Sequence, residues 1–208
     1  MKQIQKIFLI TMGMIMTLAG CNPNEPVFKE ASVDAGEFPF VGENKMWFYK
    51  NFYGDIYYKM TGDTIIKGYV YKKVYTKIPY KYNNNFWHYV TAVRQHGPKV
   101  YAIKSSTTKE FLVYDFSLEE GDWFTWAWNE DSTVDECKIA FKRIRDDGRI
   151  LYLYSWYSAN RTTSPLTYFS WIEGIGATGT LFGYLKLPHG HLVNCFEDEV
   201  CIYHDVDE

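Results

Sequence analysis

Three histidines near the C-terminus are the side chains of this sequence best spaced to share a metal ion. His189 and His191 are separated by a single glycine, and His204 follows in the next predicted strand. Side chains two residues apart on a strand point to the same side, so both imidazoles can reach one ion, with Glu197 or Asp198 adding oxygen. Because no HExxH or paired CxxC motif accompanies them, histidines beside a surface turn are the simpler interpretation. We therefore expect no metal site.

Glu173 is the carboxylate with the most distinctive surroundings, since it lies in the segment Trp171–Gly176. A glutamate beside glycine-rich backbone can accept N–H bonds and hold a loop in place. As the general acid of a glycan-active hydrolase it would need a second carboxylate about 5–10 Å away. The sequence offers three partners, Glu110, Asp115 and Glu119. The structural role requires no such pair, and we predict no catalytic residue.

Motifs of nucleophilic and cofactor-dependent enzymes are missing from the sequence. There is no Gly-x-Ser-x-Gly elbow, and Cys137 has no papain-like context. The glycines between Gly174 and Gly179 resemble a dinucleotide-binding loop in spacing, but no βαβ unit surrounds them. The sequence therefore predicts a protein that is not an enzyme and needs no cofactor.

Aromatic residues are unusually abundant, with 18 Tyr, 14 Phe and 7 Trp making up 19% of the chain. These residues favour half-buried pleated surfaces, so the excess first indicates β-structure. Several form stripes along one face of a predicted strand: Tyr69, Tyr71 and Tyr75; Phe124, Trp126 and Trp128; Tyr152, Tyr154 and Trp156.

Each aromatic stripe has two interpretations. A buried stripe belongs to the core, whereas two exposed stripes side by side could stack sugar rings. We expect most to be core, because Trp123 lies opposite the stripe of 122–128 and both faces of that strand are aromatic. The candidates for ligand contact are Tyr69, Tyr71, Tyr75, Trp126, Trp128 and Trp156.

The N-terminal segment resembles the signal of a bacterial lipoprotein. Lys2 and Lys6 precede an apolar run over 7–19, which is too short to span a bilayer comfortably. The run ends in Leu-Ala-Gly-Cys, which resembles a lipobox and implies acylation of Cys21. Acyl chains on that residue would give stable membrane attachment. Since Asn22 follows the cysteine, the resemblance implies the outer membrane of the cell envelope.

Composition limits the remaining partners and domains. The net charge of −3, without blocks of Lys or Arg, does not predict nucleic-acid binding. After a signal peptide over 1–20, we predict a tether rich in Pro and Gly over 21–45 and one domain over 46–208.

Three cysteines remain beyond Cys21, and their state is open. Cys195 and Cys201 could face each other across a tight hairpin and form a disulfide in an oxidising envelope. Alternatively all three, including Cys137, are reduced thiols that pack as small hydrophobes.

The mature chain is predicted to be all-β. Runs of aromatic and β-branched residues alternate with turn signals, and no long helical period is present. The predicted strands are 46–53, 55–61, 64–77, 86–95, 99–104, 109–116, 122–128, 134–145, 149–157, 167–173, 180–187, 191–196 and 200–204. Turns are predicted at 61–64, 96–99, 119–122 and 146–149. Connections this short predict an antiparallel β-meander rolled into a barrel-like or sandwich domain. Two irregular stretches, 158–166 and 174–179, are the predicted functional loops.

Four stretches resemble a known group of proteins. They are Gly62–Gly68 with Tyr71–Lys73, Phe111–Leu118 running into Gly121–Asp122, Trp171–Gly176, and Leu192–Cys195 ahead of Ile202–Tyr203. Together they are similar to a broad family of uncharacterised secreted or lipid-anchored β-rich envelope proteins of gut and oral anaerobic bacteria. The resemblance implies no enzymatic activity and transfers no functional residue.

The leading functional hypothesis is a lipid-anchored, non-catalytic binding module of the cell envelope, whose ligand is a glycan or a surface protein. A lipoprotein that inhibits proteases through an exposed loop such as 158–166 is the first alternative. A glycan-active hydrolase using Glu173 is the second.

Overall fold

The computed structural model describes residues 38–79, 86–104, 109–126, 135–157, 168–179, 181–182 and 190–205. These residues form an all-β, antiparallel fold, as predicted. The strands described are β1 (Lys45–Asn51), β2 (Gly54–Ile66), β3 (Tyr69–Lys77), β4 (His88–His96), β5 (Lys99–Lys104), β6 (Glu110–Asp115), β7 (Trp123–Trp126), β8 (Asp135–Ile144), β9 (Ile150–Tyr157), β10 (Tyr168–Ile172), β11 (Gly176–Ala177), β12 (His191–Glu197) and β13 (Val200–His204).

Two sheets pack around one main core. The larger has the order β13-β12-β1-β2-β3-β4-β5-β6, and the smaller has the order β11-β10-β9-β8-β7. One of the sheets curls like half a barrel. Sequential neighbours follow from the short turns, but β12 departs from a simple meander by returning to pair with β1. The first strand is thereby enclosed between β2 and the C-terminal hairpin.

The hairpin turns confirm part of the predicted turn chemistry. Gly97, Gly121 and Gly148 all have positive φ, within three of the four predicted turns. A positive φ costs glycine nothing, which is why it occupies these positions.

The predicted turn at 61–64 is wrong. Strand β2 continues through it, with a register shift between Met60 and Asp63, and the chain reverses only at Lys67–Gly68. Both turn residues have positive φ, of 52° and 81°, as a type I′ hairpin requires. Gly62 also has positive φ, so the glycine signal was real but marks a β-bulge.

The domain begins earlier than predicted. Phe40 is fully buried in the core, and Lys45, also fully buried, is already the first residue of β1. Gln95 accepts hydrogen bonds from the backbone N–H groups of Phe40 and Val41, at 2.8 and 3.1 Å. Residues 38–45, assigned to the tether by their prolines and glycines, are therefore part of the folded domain.

The core is largely aromatic. Trp171 contacts the rings of Tyr154, Phe124 and Tyr114, at centroid separations of 4.9, 5.1 and 5.6 Å. All four side chains are nearly or fully buried. The expectation that the aromatic stripes form core is confirmed for Phe124, Tyr152 and Tyr154. Within the described residues, no helix has the length and apolar character that crossing a membrane requires.

Candidate functional site

Strand β1 separates the two regions of interest, because its side chains alternate between them. Lys45, Trp47 and Tyr49 are fully buried between the sheets, and we call them the inner clamp. Met46 and Phe48 project from the opposite, outer face and remain partly accessible. The two-residue period of a strand produces this division.

The inner clamp binds the backbone of the segment after β10. The Nζ of Lys45 donates to the Gly174 carbonyl at 2.9 Å, and the indole N–H of Trp47 donates to the Ile175 carbonyl at 2.8 Å. The Tyr49 hydroxyl donates to the Ala177 carbonyl at 2.6 Å. Three alternate side chains of the larger sheet therefore satisfy two carbonyls of the β10–β11 turn and one of β11, and tie this segment to β1.

Two glycines allow this close approach. Gly174 has φ +72°, and a Cβ there would lie 2.9 Å from the Cβ of Phe38. Gly176 has φ +97°, and its Cβ would lie 2.8 Å from the Phe40 ring and 3.0 Å from the Tyr114 hydroxyl. The predicted functional loop 174–179 is consequently a buried structural segment over 174–177.

Lys45 is a cation with an extensive set of buried partners. Besides Gly174 it donates to the carbonyls of Pro39 and Phe40, at 2.8 and 3.2 Å, and its Nζ lies 3.5 Å from Glu197 Oε1. Burial lowers the pKa of the Lys45 ammonium, and the nearby Glu197 carboxylate opposes that shift. With four oxygens around it, Lys45 serves the fold as a tie between the N-terminal segment, β12 and the second sheet.

The side chain of Glu173 is half-buried, and the carbonyl of its neighbour Gly174 accepts a hydrogen bond from Lys45. The three proposed partner carboxylates each have a cation: Glu110 pairs with Arg94 at 2.6 Å, Asp115 with Lys99 at 3.3 Å, and Glu119 with Lys142 at 2.7 Å. These pairings are those of carboxylates that stabilise structure.

The outer face of the larger sheet carries five aromatic side chains that we call the outer platform: Phe48, Tyr57, Tyr75, Trp87 and Tyr89. Strand pairing sets four of them in two adjacent rows, and Trp87 lies just before β4. Phe48 lies opposite Tyr57, and the rings stack with centroids 5.1 Å apart at an interplanar angle of 19°. Tyr75 lies opposite Tyr89, with centroids 5.9 Å apart.

Two lysines lie over the outer platform. Lys59 Nζ is 4.5 Å from the Trp87 ring centroid and 5.8 Å from that of Tyr75. Lys77 Nζ is 5.8 Å from the centroid of Tyr57, its cross-strand partner. The rows therefore combine ring faces with flexible ammonium groups.

A cleft of about 650 Å³ borders the platform at the start of β1, between residues of β2 on one side and the β12–β13 turn on the other. Met46 and Phe196 contribute its apolar part, and Asp198 and Glu199 contribute carboxylates. Asp198 accepts a hydrogen bond from the side-chain amide of Asn44 at 3.0 Å. One end of the platform is thus acidic, whereas lysine ammonium groups lie over the aromatic rings.

The predicted ligand-contact aromatics divide among several environments. Tyr75 lies on the outer platform, and Tyr69 is 40% exposed on the same face of the sheet. The prediction that Tyr71 contacts a ligand is corrected, since its side chain is only 3% exposed and packs with Ala92 and Ile103. The side chains of Trp126 and Trp156, and the whole of Trp128, lie outside the described residues.

Tyr71 belongs to a cluster around Arg94. Its hydroxyl donates to Glu110 at 2.8 Å, and Arg94 makes a bidentate pair with the same carboxylate, at 2.6 and 2.8 Å. The guanidinium stacks on Tyr69 and Tyr101, at 4.8 and 4.6 Å. Burial and the carboxylate raise the pKa of Tyr71 to about 12. This satisfied network ties β3–β6 together.

The histidines are dispersed among other partners. His191 Nε2 contacts Asp205 at 2.5 Å, and His204 Nδ1 contacts Asn194 at 2.5 Å. His189 lies outside the described residues. Across the described part of the chain, no three metal-ligating side chains come together.

The Cys195–Cys201 disulfide, one of the two alternatives, does not form in the structure. Cys195 lies opposite Tyr203 and is buried, whereas Cys201 lies opposite Phe196 and is exposed. A register shift in the hairpin places the two thiols on opposite faces. Cys137, Cys195 and Cys201 are all free thiols, and burial raises the pKa of the first two to about 12.

Sequence reasoning missed four members of the outer platform: Phe48, Tyr57, Trp87 and Tyr89. The segment 46–49 is apolar at every position, so its phase cannot be read from hydrophobicity. The neighbouring strands did contain a signal. Lys59 and Lys77 each lie two residues after a tyrosine, Tyr57 and Tyr75, and therefore share its face of the strand. Because lysines favour solvent, they identify that face as the accessible one.

No family model, no curated protein and no solved structure matches this chain.

Proposed function

We propose that this chain is a lipid-anchored protein of the cell envelope that binds glycans through the outer platform. The observation that carries the proposal is the pair of adjacent aromatic rows, Phe48–Tyr57 and Tyr75–Tyr89, whose side chains are partly or fully accessible on the outer face of the larger sheet. The aliphatic face of a sugar ring stacks favourably on an aromatic face, and a rigid sheet presents the rings at fixed spacing.

The polar groups around the rings support the same ligand class. Sugar hydroxyls need both donors and acceptors, and the platform and its cleft provide the ammonium of Lys59, the carboxylate of Asp198 and the amide of Asn44. Partly exposed rings offer modest contact area each, so an extended glycan that spans several of them is a better ligand than a single sugar.

Binding of the full chain, purified in detergent micelles, to an array of polysaccharides tests this proposal. We expect retention on at least one glycan, and loss of that retention in the double variant Tyr57→Ala/Tyr75→Ala. Phe141→Ala is the matched control, because Phe141 is 44% exposed on the smaller sheet. No retention on any glycan, or an equal loss of retention in the control variant, would refute glycan binding by the platform. Capture of a protein by the same platform would favour a surface-protein ligand.

The anchor part of the proposal rests on the order of basic residues, apolar run, small residues and cysteine that ends at Cys21. Growth with labelled palmitate should label the protein, and Cys21→Ser should abolish the label and release the protein from membranes. An unlabelled protein would remove the anchor and leave the glycan proposal standing.

A further inference from the structure

Neither lysine of the outer platform has a counter-ion among the described residues. Described ion pairs engage Lys45, Lys72, Lys99 and Lys142, but include neither Lys59 nor Lys77. Both ammonium groups instead rest on ring faces. The platform therefore carries two cations that no described carboxylate neutralises.

Carboxylates lie at the margins of the platform. Asp55 accepts a hydrogen bond from the Tyr57 hydroxyl at 3.1 Å and lies opposite Lys50 in the strand pairing. Asp198 and Glu199 line the cleft beyond Met46. The positive centre and acidic margin together favour a ligand that places negative charge over the rings.

From this arrangement we propose that the outer platform recognises anionic glycans, polymers whose sugars carry a carboxylate or a sulfate group. The proposal rests on the glycan-binding function above and specifies its ligand class. Sugar rings stack on the tyrosines while Lys59 and Lys77 bind the acidic substituents.

The exchange of partners at each lysine is favourable. In the free protein the ammonium of each half-buried lysine makes a cation–π contact near the surface, which is a weak interaction. On binding, its flexible side chain swings off the ring and donates a charge-assisted hydrogen bond to the anion, which is the stronger interaction. The ring face that the lysine leaves becomes available for the sugar.

Titration of the full chain in detergent micelles with three polymers tests the inference: polygalacturonate for carboxylate, chondroitin sulfate for sulfate, and dextran as the neutral case. We expect the acidic polymers to bind roughly tenfold or more tightly than dextran at low salt, and this preference to shrink as salt screens the charges. The carboxylate and sulfate arms identify which anion is preferred.

Matched variants separate charge from folding. Lys59→Gln/Lys77→Gln should abolish the preference for acidic polymers, while Lys59→Arg/Lys77→Arg should retain it. Lys138→Gln is the control, since Lys138 lies 5.8 Å over Trp123 on the smaller sheet and should leave the preference intact. Equal binding of acidic and neutral polymers, or an unchanged preference in the glutamine variant, overturns this inference while the glycan-binding function stands. Failure to bind any of the three polymers also overturns this inference, whereas the glycan-binding function is refuted only by the absence of retention across the polysaccharide array.

Discussion

The inner clamp and the outer platform use the same residue types for different ends. On the inner face of β1, the rings of Trp47 and Tyr49 are completely buried, and their polar groups donate hydrogen bonds to the carbonyls of Ile175 and Ala177. On the outer face, Phe48 stacks on Tyr57 in partial contact with solvent. Aromatic content alone therefore does not distinguish the buried clamp from the accessible platform; burial and hydrogen-bond partners do.

The largest difference between the buried interior and the outer platform should appear in the stability at alkaline pH, because burial raises the pKa values of interior thiols and tyrosines. Burial raises the pKa of the Cys137 and Cys195 thiols from 9.0 to about 12, and the pKa values of Tyr49 and Tyr154 lie well above 10.0. At a pH between the ordinary pKa of such a group and its raised pKa in the fold, the group is protonated in the folded state and deprotonated in the unfolded state. The free energy of unfolding therefore falls as pH rises, by about 1.4 kcal/mol per pH unit for each such group.

We expect cooperative unfolding by about pH 11, measured as urea midpoints from pH 7 upward. The lowered pKa of Lys45 opposes this trend in part, because the unfolded state there holds the extra proton. Cys137→Ala should give a shallower decline, whereas Phe48→Ala, without a titrating group, should leave the slope unchanged. A midpoint independent of pH from 9 to 11 would contradict the burial of these thiols.

Removing a clamp ring should have the largest mutational effect. Trp47→Ala should lower the free energy of unfolding by about 3–5 kcal/mol, since it leaves a cavity and an unpaired Ile175 carbonyl. Trp47→Phe keeps most of the volume and should lose about 1–3 kcal/mol, which isolates the hydrogen bond. Urea unfolding measures both, and a loss in Trp47→Phe as large as in Trp47→Ala would assign the effect to the indole N–H alone.

A methyl group at Gly176 tests how close the two sheets lie. Gly176→Ala meets the Phe40 ring at 2.8 Å, whereas Gly68→Ala, at a similar φ of +81°, meets nothing within 4 Å. The control should lose about 1–2 kcal/mol from backbone strain alone, and Gly176→Ala clearly more. Equal losses would mean that the clamp segment can move aside without cost.

The smallest effect should be at the platform. Phe48→Ala removes one partly exposed stacking pair and should lower the free energy of unfolding by about 0.5–1.5 kcal/mol. Glycan retention should nevertheless fall strongly. Thermal unfolding and polysaccharide retention on the same preparation measure both, and retained binding would remove Phe48 from the proposed site.

Hydrophobic pattern and glycine positions determined the fold class in advance. Aromatic and β-branched runs between turn signals predicted an antiparallel all-β domain, and the turns at Gly97, Gly121 and Gly148 formed where expected. The same local logic failed at Gly62, because positive φ suits a bulge as well as a turn and only pairing with β3 separates the two.

Tertiary structure alone decided which aromatics face inward, what holds segment 174–177, and which cations lack partners. The sequence 45–51 does not reveal that Lys45 is buried, because its carbonyl partners lie 129 residues away at Gly174 and on the neighbouring Pro39–Phe40 segment. The hairpin register that separates Cys195 from Cys201 likewise depends on a bulge. Local sequence specifies strands and turns through backbone preferences, whereas the side-chain partners depend on contacts between residues that only the folded chain brings together.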